Sequence, residues 1–275
     1  MVLLRACRFA ILVAISMAAL SCVPWSAAQT VASDIKVPTF DVVSVRADRS
    51  GGVVGSTANG DGVWIRNLPL RRIVNLAYDI KLGSLVSGLP SWAGSERFDI
   101  TGKVAQSDVP AFTKLGISER FLMLQAVLED RFKMKSHFET RELPIYELVL
   151  DKNGPKFTEG EFAVREGGQH EVGMSSESGE IRAMGVKMDR AIQALSVQLG
   201  RVVVDKTGLA GKYVFTLKWA PDTEDGPAAN GDATTDVSGP SIFTAMKEQL
   251  GLKLESSKGP VKILVIDHVE PPSEN

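Results

Sequence analysis

The sequence predicts an α+β fold built from two tandem duplicated β-α-β-β-α-β-β units, with helices packed on a small mixed sheet. Three observations lead there. Pro144-Ile145-Tyr146-Glu147-Leu148-Val149-Leu150-Asp151 returns 116 residues later as Pro260-Val261-Lys262-Ile263-Leu264-Val265-Ile266-Asp267, and Ile65-Arg66 returns as Ile181-Arg182 at the same spacing. Arg97-Phe98-Asp99-Ile100-Thr101-Gly102-Lys103 corresponds to Lys212-Tyr213-Val214-Phe215-Thr216-Leu217-Lys218, one residue out of step. Strand-like and helix-like apolar periods also follow one another in the same order in both halves. A repeat this long is a duplicated domain rather than a solenoid unit of about 20–50 residues. The units are expected at 29–155 and 156–275, each close to the common domain size of about 100–150 residues.

The chain opens with a signal peptide, residues 1–28. Arg5 and Arg8 form its positive start, residues 9–20 its apolar stretch, and Ser26-Ala27-Ala28 its small-residue cleavage site. Cleavage is placed after Ala28. The alternatives are a lipoprotein anchored at Cys22, since Ala19-Leu20-Ser21-Cys22 has part of that pattern, or a retained anchor. A short polar leader then runs to Thr39.

In the first unit, residues 40–45 and 63–66 read as strands around a glycine-rich loop at 51–62. Leu70, Ile73, Val74, Ala77 and Tyr78 recur at helical spacing, with Gly83 as the terminating residue. Residues 97–101 read as a strand. A second helix starts near Ser118, its expected N-cap, with Glu119 in the first turn. Two closing strands, 132–138 and 145–150, are separated by a polar turn.

The second unit repeats this order. Residues 180–183 form a strand, and Met188, Ala191, Ile192, Leu195 and Leu199 make the stripe of a helix ended by Gly200. Strands at 201–204 and 213–217 flank the turn Asp205-Lys206-Thr207-Gly208. A helix covers about 241–250, and strands at 252–255 and 261–266 close the unit. Residues 220–239, rich in Asp, Ala, Gly and Thr, read as a mobile surface insert with too little apolar content to order itself.

Composition narrows the function classes. Both cysteines, Cys7 and Cys22, lie in the signal segment, so the mature chain has no thiol for a disulfide or thiolate metal site. Removing Arg5 and Arg8 leaves 29 basic against 33 acidic residues, a net charge of −4, which argues against sequence-independent nucleic-acid binding. No later segment is apolar enough to span a membrane as a helix. No cofactor is expected.

The chain resembles a family of exported, soil-associated bacterial proteins of uncharacterised function. The residues carrying the resemblance are Glu129-Asp130-Arg131-Phe132-Lys133-Met134, His137-Phe138-Glu139-Thr140-Arg141-Glu142-Leu143-Pro144 and Val204-Asp205-Lys206-Thr207-Gly208-Leu209-Ala210-Gly211-Lys212-Tyr213. Gln249-Leu250-Gly251-Leu252-Lys253-Leu254 and the segment from Ile266 to Asn275 add to it. The resemblance implies no known activity, cofactor or catalytic residue. Each half is also similar, in element order and a few apolar positions, to the short N-terminal domain of secretins and TonB-dependent receptors. That likeness implies a protein-interaction module.

Candidate chemistry is sparse. Lys206-Thr207-Gly208 lacks the companion Ser-x-x-Lys helix and Ser-Asp-Asn element of penicillin-recognising enzymes, so a turn explains it. His137 and Glu139 share a strand face and could reach a metal, but no third ligand is visible. Asp267-His268 has no serine elbow to serve, and equivalence of Trp92 to Leu209 in the other unit assigns that tryptophan to the core. Arg131, Lys133, Lys135 and His137 alternate with apolar residues along the predicted strand 132–138, and so align as a basic row that could meet an anionic partner. The favoured reading is a non-catalytic cell-envelope binding module, with an envelope protein or anionic envelope component as partner. The alternative is an extracytoplasmic hydrolase acting on peptides or glycans through carboxylates such as Glu139 and Glu142.

Overall fold

Two strands of unusual length run through the middle of the protein, and everything else is arranged about them. The computed structural model describes residues 38–49, 51–161, 163–164, 170–220 and 239–272. The expected signal peptide with Cys22, the leader up to residue 37 and residues 221–238 of the expected insert lie outside the described residues.

The first half contains β1 (Phe40–Asp48), β2 (Gly55–Asn59), β3 (Gly62–Pro69), α1 (Leu70–Ala77), β4 (Val86–Ser87), β5 (Arg97–Val104), α2 (Val109–Phe112), α3 (Ile117–Leu122), α4 (Leu124–Arg131) and β6 (Lys135–Leu150). The second contains β7 (Thr158–Glu159), β8 (Ala163–Val164), β9 (His170–Glu171), β10 (Gly173–Glu177), β11 (Glu180–Lys187), α5 (Met188–Leu199), β12 (Val203–Asp205), β13 (Lys212–Lys218), α6 (Ile242–Ala245) and β14 (Leu252–His268). The fold is α+β. One outer sheet has the antiparallel order β1-β5-β3-β2, the other β7-β13-β11-β10. A central sheet has the order β12-β6-β14-β4, and β8 pairs with β9.

Local sequence explains the helices. On α1, Leu70, Ile73, Val74 and Ala77 are buried at i, i+3, i+4 and i+7, one stripe against the sheet. α5 buries Met188, Ala191, Ile192 and Leu195 in the same manner and ends at Gly200 in left-handed backbone. Ser241 caps α6 by accepting the Thr244 N–H, and the helix passes into a π turn (Met246–Leu250) stopped by Gly251.

Several expectations need correction. The glycine-rich stretch 51–62 is not all loop, because β2 forms within it and pairs with β3. The left-handed residue after α1 is Asp79, at φ +52°, rather than Gly83. The helix near Ser118 starts one residue earlier, and the Glu119 carboxylate accepts the Gly116 N–H at 2.7 Å, so Gly116 rather than Ser118 holds the cap. Residues 132–134 are not strand. Most consequentially, the paired closing strands of each half are single strands, β6 and β14, which pair antiparallel from Leu150↔Leu252 to Lys135↔His268.

Pro144 and Pro260 fall in the expected breaks between those strands, yet both lie within the ladder, opposite Lys258 and Glu142. The hydrogen-bond parity accounts for this. The Tyr146 N–H points away from β14 and donates to Val202 O. Pro144, two residues earlier, points its nitrogen the same way, beyond the end of β12, where no ladder hydrogen bond is lost. Pro260 has the same parity on the other side.

The ribbon also joins the cores. Leu264 and Ile266, at the end of β14, are buried in the cluster with α1, α4 and β5 of the first half. Leu148, near the end of β6, is buried in the cluster with α5, β11 and β13 of the second. Each half's last strand therefore completes the other half's core, and all described residues fall in one compact unit. Ile145, Val261 and Ile263 form a third small cluster on the ribbon itself.

Candidate functional site

A cleft of about 630 Å³ opens where α4 hands over to β6. The handover is abrupt: Phe132 is fully buried, Lys133 adopts left-handed backbone at φ +50°, and Met134 returns to the core before the strand starts. That conformation is unfavourable for a residue with a Cβ, and it turns the Lys133 side chain out to the rim.

The four cations expected in one row do not share one strand face. Arg131 closes α4, pairs with Asp130 at 3.0 Å and does not line the cleft. Lys133 lies in the turn, and only Lys135 and His137 are on β6. The cleft nevertheless gathers Lys133, Lys135 and His137, with Glu129 the one carboxylate in its lining. Lys133 and Lys135 have no ion-pair partner among the described residues.

His137 Nδ1 and Asp267 Oδ2 lie 2.8 Å apart, both side chains about half exposed. This contact spans the ribbon, at the bulge between Ile266 and His268. Beside it the Tyr78 hydroxyl and Ser136 Oγ are hydrogen-bonded at 3.0 Å. Burial pushes the Tyr78 phenol above its ordinary range; the Ser136 hydrogen bond opposes this and the Glu129 charge adds to it. Phe138, 47% exposed, meets Tyr78 edge-on at 6.1 Å, and the Lys262 ammonium sits 3.9 Å over its ring. The site thus offers exposed cations, a solvent-facing aromatic ring and neutral hydrogen-bonding groups.

The residues a hydrolase would use are not brought together. Glu139 and Glu142 lie three apart on β6, so they project from opposite faces. Glu139 is held bidentately by Arg141 at 2.9 and 3.0 Å, and that hydrogen bond keeps its carboxyl below the ordinary range. Asp267 engages His137, while His268 pairs with Glu270 at 2.8 Å, so the adjacent Asp267 and His268 do not act on each other. Among the described residues no group of three or more His, Cys, Asp or Glu is placed to hold a metal. Asp205 accepts from the Thr207 N–H and hydroxyl at 2.8 and 2.7 Å, which makes Lys206-Thr207-Gly208 a closed turn. Trp92 packs against the first core and Leu209 against the second.

Sequence reasoning missed Tyr78, Asp267 and Lys262 as neighbours of the basic residues. Asp267 and Lys262 depend on long-range pairing of β6 with β14, and Tyr78 on the end of α1 meeting the start of β6. The one available signal was the repeat itself, since it aligns the two strands that carry the site.

A second cleft, about 540 Å³, lies at the other end of the ribbon, lined by Lys156, Lys247, Lys253, Phe243 and Asp151 among others. No helix among the described residues is long and apolar enough to cross a membrane. No curated protein and no solved structure matches the chain. Residues 71–269, the part that holds both ends of the ribbon, match the family described as "protein of unknown function" (DUF3738), and the chain belongs to that family.

Proposed function

We propose that this is an exported, non-catalytic binding module of the cell envelope that engages an anionic component there through the cleft at the start of β6. The observation that carries the reading is the lining of one cleft by Lys133, Lys135, His137 and exposed Phe138, on a chain whose overall charge is negative. Export rests on the signal pattern of residues 1–28, cleaved after Ala28. The likeness of each half to the secretin and TonB-receptor domain belongs to the same reading, because such modules act by contact rather than catalysis. The matching orders of the two outer sheets support a further part of it: 29–155 and 156–275 are copies of one unit that have exchanged their last strands.

The test compares the protein with Lys133→Ala/Lys135→Ala for binding to isolated anionic envelope fractions across a salt series. Binding should fall in the double variant and should weaken with salt as screening shortens the reach of the charges. The melting temperature should hardly move, since exposed charges contribute little stability. Equal binding by the variant, or binding indifferent to salt, contradicts the assignment.

A further inference from the structure

The cleft at the far end of the ribbon stands where the repeat would place a second copy of the first. Lys253 follows His137 by 116 residues (253 − 137), and Asp151 precedes Asp267 by 116 (267 − 151), the spacing of the sequence repeat. The pairings differ: His137 contacts Asp267 at 2.8 Å, whereas Lys253 pairs with Glu255 at 2.8 Å and has Asp151 only as a nearby charge. On the helix side, Gln125 and Glu129 line the first cleft, while Phe243 and Lys247, 118 residues on in each case, line the second. An acidic position in one has become a cation in the other.

The second cleft has its own means of holding an anion. Lys247 and Lys253 are exposed beside Phe243, which is 42% exposed and meets Tyr146 edge-on at 5.4 Å; Lys253 is paired with Glu255 at 2.8 Å, so an anion there competes with that carboxylate. Thr244 and Asn153 add neutral hydrogen-bonding groups. Both clefts thus combine an exposed phenyl ring, at least two lysines and uncharged polar side chains, with Glu129 the carboxylate in the first and Asp151 and Glu248 those in the second. An acidic sugar presents the complementary set: apolar C–H surface, hydroxyls and a carboxylate. Both sites are concave, which fits a chain segment lying in them better than a flat lipid surface.

We infer that the two clefts are separate subsites for one anionic polysaccharide, gripped at two points along its length. This rests on the proposed reading of the first cleft and extends it. Leu264 and Leu254, lining the first and second cleft, stand ten residues apart on β14 (264 − 254), about 33 Å at about 3.3 Å per residue. A polymer spanning that distance gains from effective concentration, because its second contact is intramolecular; a disaccharide cannot.

The experiment uses polygalacturonate and digalacturonate as probes, with the full protein, Lys133→Ala/Lys135→Ala, and Lys247→Ala/Lys253→Ala. Each double variant is expected to lose at least about tenfold in affinity for the polymer, while its digalacturonate affinity changes no more than loss of one of two equal sites requires. If Lys247→Ala/Lys253→Ala binds polymer as well as the parent does, and only the first variant fails, the second subsite is wrong and the first cleft stands. If neither variant matters, both readings fall. Tighter binding to phosphatidylglycerol vesicles than to polymer, through the same lysines, overturns the polysaccharide class. Unchanged melting temperatures of both variants exclude unfolding as the cause of any loss.

Discussion

At the start of β14, Leu252 and Leu254 are buried in the second core; 116 residues earlier stand Ser136 and Phe138, the latter 47% exposed. The turns before them differ in the same sense. Gly251 sits at φ +64°, and Lys133 ends the corresponding helix at φ +50°. The second half uses this corner for packing. The first half has a half-buried serine, an exposed ring and an unfavourable backbone at this corner, beside an open cleft edged by cations. Side chains that contribute nothing to the core, set on a strained turn, are the pattern expected of a site.

The largest effect should come from crossing the cores. Leu148→Ala is expected to cost about 2–5 kcal/mol, the usual range for a buried leucine. Leu148 belongs to the first half in sequence but is fully buried in the second core. Hydrogen exchange should therefore quicken first in α5 and β13, with α1 protected longer. Faster exchange confined to α1 and α4 would mean the strand assignment is wrong.

Gly251→Ala against Lys133→Gly sharpens the comparison of the two turns. A Cβ at Gly251 would overlap the Gly154 carbonyl oxygen as well as occupy left-handed backbone. The substitution should destabilise by more than the about 1–2 kcal/mol of the conformation alone. Lys133→Gly relieves the same conformation without a steric conflict. It should leave stability equal or raise it by up to about 1 kcal/mol, part of the gain being offset by a freer unfolded chain, and it should weaken anion binding. A clear loss of stability in Lys133→Gly, measured by urea denaturation, would show that the lysine side chain packs rather than reaches outward.

A smaller effect concerns Tyr78. Its phenol is raised above the ordinary value of 10.0, first by burial, so the folded state holds this proton more tightly than the unfolded chain does. The corresponding stability is present below about pH 10 and is lost as pH rises through the folded-state value. Tyr78→Phe should flatten the alkaline limb of stability against pH. An unchanged limb would place the phenol in freer contact with solvent than its surroundings indicate. The least is expected from Glu139→Gln. Arg141 lowers the Glu139 carboxyl, so its contribution is lost as pH falls through the carboxylate range, and on an exposed strand it should barely shift the acid limb.

Helix faces and the strands β1, β3, β5, β11 and β13 were legible in the sequence from local apolar periodicity, as the stripes of α1 and α5 at 3.6-residue spacing show, whereas the outer strands β2, β7 and β10 were not. The ribbon was not. Glu139 to Pro144 and Ser256 to Pro260 carry the polar and proline signals of turns, and only the parity of a ladder formed across more than a hundred residues lets them remain strand. The same distance hid part of the site. Lys135 and His137 were identified from alternation, whereas Asp267 and Lys262 reach them only once β6 and β14 have paired, and Tyr78 only once α1 meets the start of β6. Arg131 and Lys133 were placed on a strand because Phe132 and Met134 alternate with them, but those apolar residues serve the end of α4 and the turn after it.

The claim that the halves complete one another can be measured directly by calorimetry of the purified protein. If β6 and β14 tie the cores together, unfolding is one cooperative transition, with calorimetric and van't Hoff enthalpies equal. Leu148→Ala and Leu264→Ala should then each move that single transition as a whole. Two resolved transitions, each displaced by only one of these substitutions, would show that the halves are independent domains and would contradict the account.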